Sequence, residues 1–152
     1  MPHRSCPNKI VRNPTLRFYS ETTSNSKSFI FLGEKRCGKT SLIQKFFDEN
    51  PKEDLPETTA LDFKYTVKSK DERKVTVNVY ELGGGRIISN MLSTCLTEES
   101  ILDTTVCICV DLSKPGNSVD SVLFWLNVIR EQIQVIAEKL QKSNPDKFAL
   151  LQ

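Results

Sequence analysis

Residues 29–41 constrain this chain more than any other stretch. A short apolar run, Phe29 to Leu32, leads into Gly33-x-x-x-x-Gly38-Lys39-Thr40, and a helical pattern in Leu42, Ile43, Phe46 and Phe47 follows. Strand, glycine loop, helix is the context in which this motif cradles phosphate. Gly33 and Gly38 let the backbone curl so that successive N–H groups converge on an anion. Lys39 adds a point charge for terminal phosphates, and Thr40 offers a hydroxyl to Mg²⁺. The helix that begins there presents the positive end of its dipole. The candidate phosphate-binding segment is therefore Gly33, Glu34, Lys35, Arg36, Cys37, Gly38, Lys39, Thr40 and Ser41. A chance Gly/Lys turn explains the spacing but not the apolar strand and amphipathic helix on either side.

At 152 residues the chain makes one domain, and 38% hydrophobic with 26% charged residues is a globular composition. A net charge of +2 is too small to argue for nucleic acid or a membrane surface, and no apolar run approaches a membrane span. Residues 1–27 contain Pro2, Pro7 and Pro14 and a polar run from Ser20 to Ser26, and read as a disordered lead-in. An Arg-rich, acid-poor organellar targeting segment is the alternative there. The domain is expected over 28–143, with 144–152 a tail or a truncation point. Cys107 and Cys109 share one face of a strand as small core residues, and Cys37 reads as an unreactive loop thiol. Five cysteines, an odd count without a zinc-like spacing, suggest reduced thiols in an intracellular protein.

The helix after the loop should stop near Glu49, before Asn50-Pro51. Leu61–Val67 and Val75–Tyr80 alternate apolar and polar residues around a charged loop, which predicts an antiparallel hairpin. Ile87, Ile88, Met91, Leu92, Cys95 and Leu96 recur at helical spacing, and Thr105–Val110 reads as a buried strand. Asn117 or Ser118 is placed to cap a long helix. Its expected core face is Val119, Val122, Leu123, Leu126, Ile129, Ile133, Ile136 and Leu140, with Trp125 packing rather than binding a ligand.

One antiparallel neighbour directly after the phosphate loop, in an otherwise parallel sheet, resembles the Ras-like GTPase domain of the P-loop NTPases. That resemblance implies an α/β fold with a mixed sheet and flanking helices. Thr58 then stands at the switch threonine that closes on Mg²⁺ and the γ-phosphate, and Glu81 at the acid that holds Mg²⁺ through its waters. Three departures weaken hydrolysis. The acid is Glu81, one methylene longer than the usual aspartate; Gly85 replaces the glutamine that orients the attacking water; and Lys35 crowds a position usually kept small. The guanine-reading Asn-Lys-x-Asp motif does not occur, and the Ras-like fold would continue with further strands, so the sheet is expected to be incomplete at the C-terminus. GTP, GDP or ATP with Mg²⁺ are the candidate ligands, bound without turnover.

The phosphate loop, Glu81-Leu82-Gly83-Gly84-Gly85 and Val110 to Pro115 together resemble the dynein light intermediate chains over roughly residues 27–141, most closely the dynein-2 type. The resemblance implies a non-catalytic subunit. Its partners would be the dynein heavy chain and other dynein-2 subunits, with neither nucleic acid nor membrane insertion. It would support retrograde intraflagellar transport and cilium assembly, and act in the cytoplasm and cytoskeleton, the cilium and its basal body. The alternative is a Ras-like small regulatory GTPase with unusual switches.

Overall fold

The computed structural model describes residues 25–48, 57–70 and 73–151. The expected lead-in up to residue 24, with its targeting alternative, lies outside the described residues, as do Asn50 and Pro51; the helix expected to stop near Glu49 ends at Phe47, with Asp48 already extended. Strand β1 (Asn25–Gly33) is central, parallel to β3 (Arg73–Leu82) on one side and to β4 (Thr104–Cys109) on the other. β2 (Leu61–Lys70) pairs antiparallel with β3, giving the order β2-β3-β1-β4 and the expected hairpin. The result is a mixed α/β fold with helices on both faces of the sheet.

Residues 29–32 of β1 alternate between two dry faces, which is why that stretch is a continuous apolar run. Phe29 and Phe31 join Val77 and Val79 against Ile43 and Phe47 of α1 (Lys39–Phe47). Ile30 and Leu32 join Leu82, Leu92 and Leu96 under α3 (Pro115–Ser143). β1 begins at Asn25, ahead of the expected boundary at 28, because Asn25, Ser26 and Lys27 pair with Val75, Thr76 and Val77 through backbone ladders that need no apolar side chain.

Three expectations are corrected. The segment after β3 is not one amphipathic helix: a 3-10 stretch over Gly85–Met91 precedes the single turn of α2 (Leu92–Cys95). Gly84 and Gly85 enter it with φ of 67° and 63°, and Ile88, at φ −110°, breaks the helical path. Ile87, counted as apolar face, is 83% exposed. The long helix starts at Pro115, whose fixed φ suits the first turn, and Ser118 Oγ donates to the Asp111 and Lys114 carbonyls instead of capping. Residues beyond 143 form a short α4 (Pro145–Ala149), with Lys147 Nζ donating to the Glu98 and Glu99 carbonyls and Phe148 against the core.

The apolar face of α3 also differs. Ser121, Trp125, Ile136 and Leu140 are the buried positions, whereas Val119, Leu123, Leu126 and Ile133 are 67%, 55%, 45% and 41% exposed. The helix carries two apolar arcs, and the arc holding Trp125, the largest fully buried side chain, meets the sheet. Trp125→Ala should therefore cost about 3–5 kcal/mol, as full truncation of a buried aromatic does. Leu123→Ala should stay within about 0.5 kcal/mol. Urea unfolding of the two variants checks the assignment, and equal losses would refute it.

Candidate functional site

The loop between β1 and α1 turns through left-handed backbone at Arg36 (φ 62°) and Gly38 (φ 90°). Gly33, at φ 146°, has a second reason to be glycine. A Cβ there would collide with the Cys109 carbonyl and press on Cys37 Sγ, so the end of β4 approaches only a bare backbone. Arg36 is tethered by Nε to Glu57 Oε1 at 2.5 Å, a pair exposed on both sides and so of little energetic weight.

Lys39 is 5% exposed, and its ammonium donates to the Gly33 and Glu34 carbonyls at 3.1 and 2.8 Å, with Cys37 Sγ at 3.6 Å. Backbone dipoles thus hold a buried cation at the foot of the loop. Thr40 Oγ1 donates to Glu81 Oε1 at 2.6 Å. Glu81 is 3% exposed, and its Oε2 finds no partner among the described residues. A buried carboxylate oxygen without a donor is costly. A hard cation, or water on one, is its natural complement, so hydroxyl and carboxylate oxygens together suit Mg²⁺.

Thr58 completes the cleft. Gly83 N–H donates to the Ala60 carbonyl at 2.6 Å, and the Thr58 carbonyl lies so close to Gly83 that a Cβ there would overlap it. The open cleft, about 310 Å³, is lined by Lys35–Ser41, Glu57–Thr59, Glu81, Gly83 and Gly84. Lys35, Arg36, Cys37, Gly38, Lys39, Thr40, Ser41, Thr58 and Glu81 therefore meet in one place. Gly33 contributes only its carbonyl, beneath Lys39.

Glu34 turns elsewhere. Its Oε1 accepts from Arg86 Nε at 2.6 Å, and Arg86 Nη2 donates to Asp120 Oδ2 at 2.6 Å, with the guanidinium 4.7 Å from the Phe124 ring centre. A Cβ on Gly85 would meet Glu34 Oε2 at 3.3 Å and Lys35 Cγ at 3.5 Å. The flank of the cleft facing Gly85 is thus filled from the loop side. Neither Arg86 nor Asp120 stood out in the sequence. The signal was there: Arg86 is the sole basic residue between Lys74 and Lys114, in a mainly apolar segment that leaves it needing an acid.

Cys37 departs from the unreactive thiol expected. Hydrogen bonding with the Cys109 thiol lowers it to about 6, and the charge of Lys39 acts in the same direction against the opposing effect of burial. Cys109 moves upward, first through that hydrogen bond and then through burial.

The sequence profile of the Dynein light intermediate chain (DLIC) family matches residues 13–147. The chain belongs to that family. It is 29% identical over 120 residues, 78% of its length, to cytoplasmic dynein 2 light intermediate chain 1 of Rattus norvegicus. It is 31% identical over 127 residues, 82% of its length, to cytoplasmic dynein 1 light intermediate chain 1 of the same species, and 33% over 109 residues, 70% of its length, to that of Homo sapiens. These matches cover 34%, 24% and 20% of the respective relatives, so the chain spans about a third of their length or less.

The contact between Gly83 and Thr58 generates a prediction. Gly83→Ala should push the Thr58 carbonyl away and cost on the order of 1–3 kcal/mol. Hydrogen exchange should quicken at residues 57–60 and at residue 83 while α3 is unchanged; unaltered exchange there would show that the two segments are not in contact.

Proposed function

We propose that this chain is a non-catalytic subunit of a dynein motor complex, of the dynein-2 type, built on a Ras-like phosphate-loop domain that holds a nucleotide statically. Family membership carries the subunit role. The order β2-β3-β1-β4, with the glycine loop between the central strand and α1, supports the Ras-like reading. Similarity to dynein-2 and dynein-1 chains is comparable, so the dynein-2 type rests on the Glu81-Leu82-Gly83-Gly84 variant. On this reading the chain binds the dynein heavy chain and other dynein-2 subunits. It serves retrograde intraflagellar transport and cilium assembly, from the cytoplasm and basal body into the cilium.

The residues of the cleft fit Mg²⁺ and a phosphate chain. Loop N–H groups and Lys39 would hold the phosphates, and Thr40, Thr58 and Glu81 the metal. When bound, the Mg²⁺-nucleotide supplies negative charge for Lys39 and a cation for the unpartnered oxygen of Glu81. Binding to the folded state alone then stabilises the domain by RT ln(1 + [L]/Kd), about 2.7 kcal/mol at a hundredfold excess over Kd. Turnover needs an oriented water, and position 85 offers no side chain to orient one.

Analysis of nucleotide released from the purified, denatured protein tests this reading. The expected outcome is GDP, GTP or ATP in the unaltered chain, its loss in Lys39→Ala, and no phosphate release over hours. Steady phosphate release would overturn the non-catalytic role in favour of a regulatory GTPase. Affinity capture from ciliated cells should recover the dynein-2 heavy chain; exclusive recovery of the dynein-1 heavy chain would reassign the type.

A further inference from the structure

The glycine loop carries a cysteine that faces another across the end of the sheet. Gly33 pairs in register with Cys109 at the end of β4. A Cβ on Gly33 would touch both the Cys109 backbone and Cys37 Sγ, so both cysteines crowd the same side of one glycine. Each thiol perturbs the other's ionisation, as neighbours at one glycine should, and Lys39 Nζ lies 3.6 Å from Cys37 Sγ. Cys37 also lines the open cleft, where a small oxidant can reach it, whereas Cys95 is buried beneath α3.

We propose that Cys37 and Cys109 are a redox-responsive thiol pair, which hydrogen peroxide converts to a disulfide that pins the glycine loop to the end of β4. The Cys37 thiolate attacks one peroxide oxygen, and the O–O bond breaks to give Cys37 sulfenic acid and hydroxide, which takes a proton and leaves as water. The Cys109 sulfur then attacks the Cys37 sulfur. The S–O bond breaks, and the sulfenic oxygen departs with the Cys109 proton as a second water. Two thiols are oxidised to one disulfide, and one peroxide is reduced to two waters. Lys39 favours the first step by stabilising the thiolate.

The test treats the full chain with stoichiometric hydrogen peroxide and maps peptides without reduction. A peptide linking Cys37 to Cys109 is expected, restored to free thiols by dithiothreitol and retained in Cys107→Ser. Cys109→Ser should leave Cys37 as a sulfenic acid that dimedone traps. In the unaltered protein, the pH profile of Cys37 alkylation should have its midpoint near 6, rising in Cys109→Ala, which removes the neighbouring donor. The midpoint is the readout because a lower pKa also lowers intrinsic nucleophilicity, so the rate at neutral pH changes only a few-fold. Both thiols remaining free, or a link from Cys37 to Cys107, would overturn the pairing in the unaltered protein without recourse to any variant.

Discussion

Everything at the carboxyl edge of the sheet depends on two buried groups of opposite charge, Lys39 at the first turn of α1 and Glu81 near the end of β3. Among the described residues they make no ion pair with each other. Lys39 is satisfied by carbonyls of its own loop, whereas the hydroxyl of Thr40 at 2.6 Å satisfies only one oxygen of Glu81. Taking either charge out of water is costly unless the surroundings are arranged to receive it. That requirement fixes the curl of the loop, which must aim the Gly33 and Glu34 carbonyls at one ammonium. It also fixes α1 against β3, since Thr40 reaches Glu81 only at this separation.

Packing and polar contacts divide the work. Ile43 and Phe47 on one face, and Trp125, Ile136 and Leu140 on the other, exclude water from the sheet and carry most of the stability. The chain Glu34–Arg86–Asp120 spans the loop, the segment after β3 and α3, but its members are 38–72% exposed at the side chain. Solvent screening leaves such pairs a modest energetic share. Their effect is on orientation: Arg86 lies over Phe124 and fixes where the 3-10 segment leaves the glycines.

The parts legible in the sequence are those whose determinants are local. The glycine loop is one continuous motif, β1 and α1 follow from its flanks, and the β2–β3 hairpin from strict alternation around a charged loop. α3 shows where locality fails. Its apolar residues fill two arcs of one helix, and periodicity alone cannot say which arc meets the sheet. Trp125 resolves that in three dimensions, leaving Val119, Leu123, Leu126 and Ile133 on the outside. The same limit applies to the site. Lys39 and Thr40 stand out as part of one motif, Thr58 and Glu81 only through the Ras-like resemblance, and the structure brings the four to one cleft. Arg86, Asp120 and Cys109 join it only through tertiary approach, and a register such as Gly33 opposite Cys109 leaves no mark in the spacing of residues.

Gly85 deserves to be read together with Glu34, because the two positions are sterically linked. A missing glutamine taken alone suggests a site one substitution away from turnover. The geometry argues otherwise. Gly85 sits at φ 63°, where side chains are disfavoured, and a Cβ would meet Glu34 Oε2 at 3.3 Å and Lys35 Cγ at 3.5 Å. Glu34 in turn is held by Arg86 at 2.6 Å. A glutamine at 85 would carry that backbone penalty and press on the Glu34 carboxylate before it could orient a water. On the proposed reading, static binding is therefore built into several side chains at once. Glu34, which crowds the position, also ties the loop to α3 through Arg86 and Asp120.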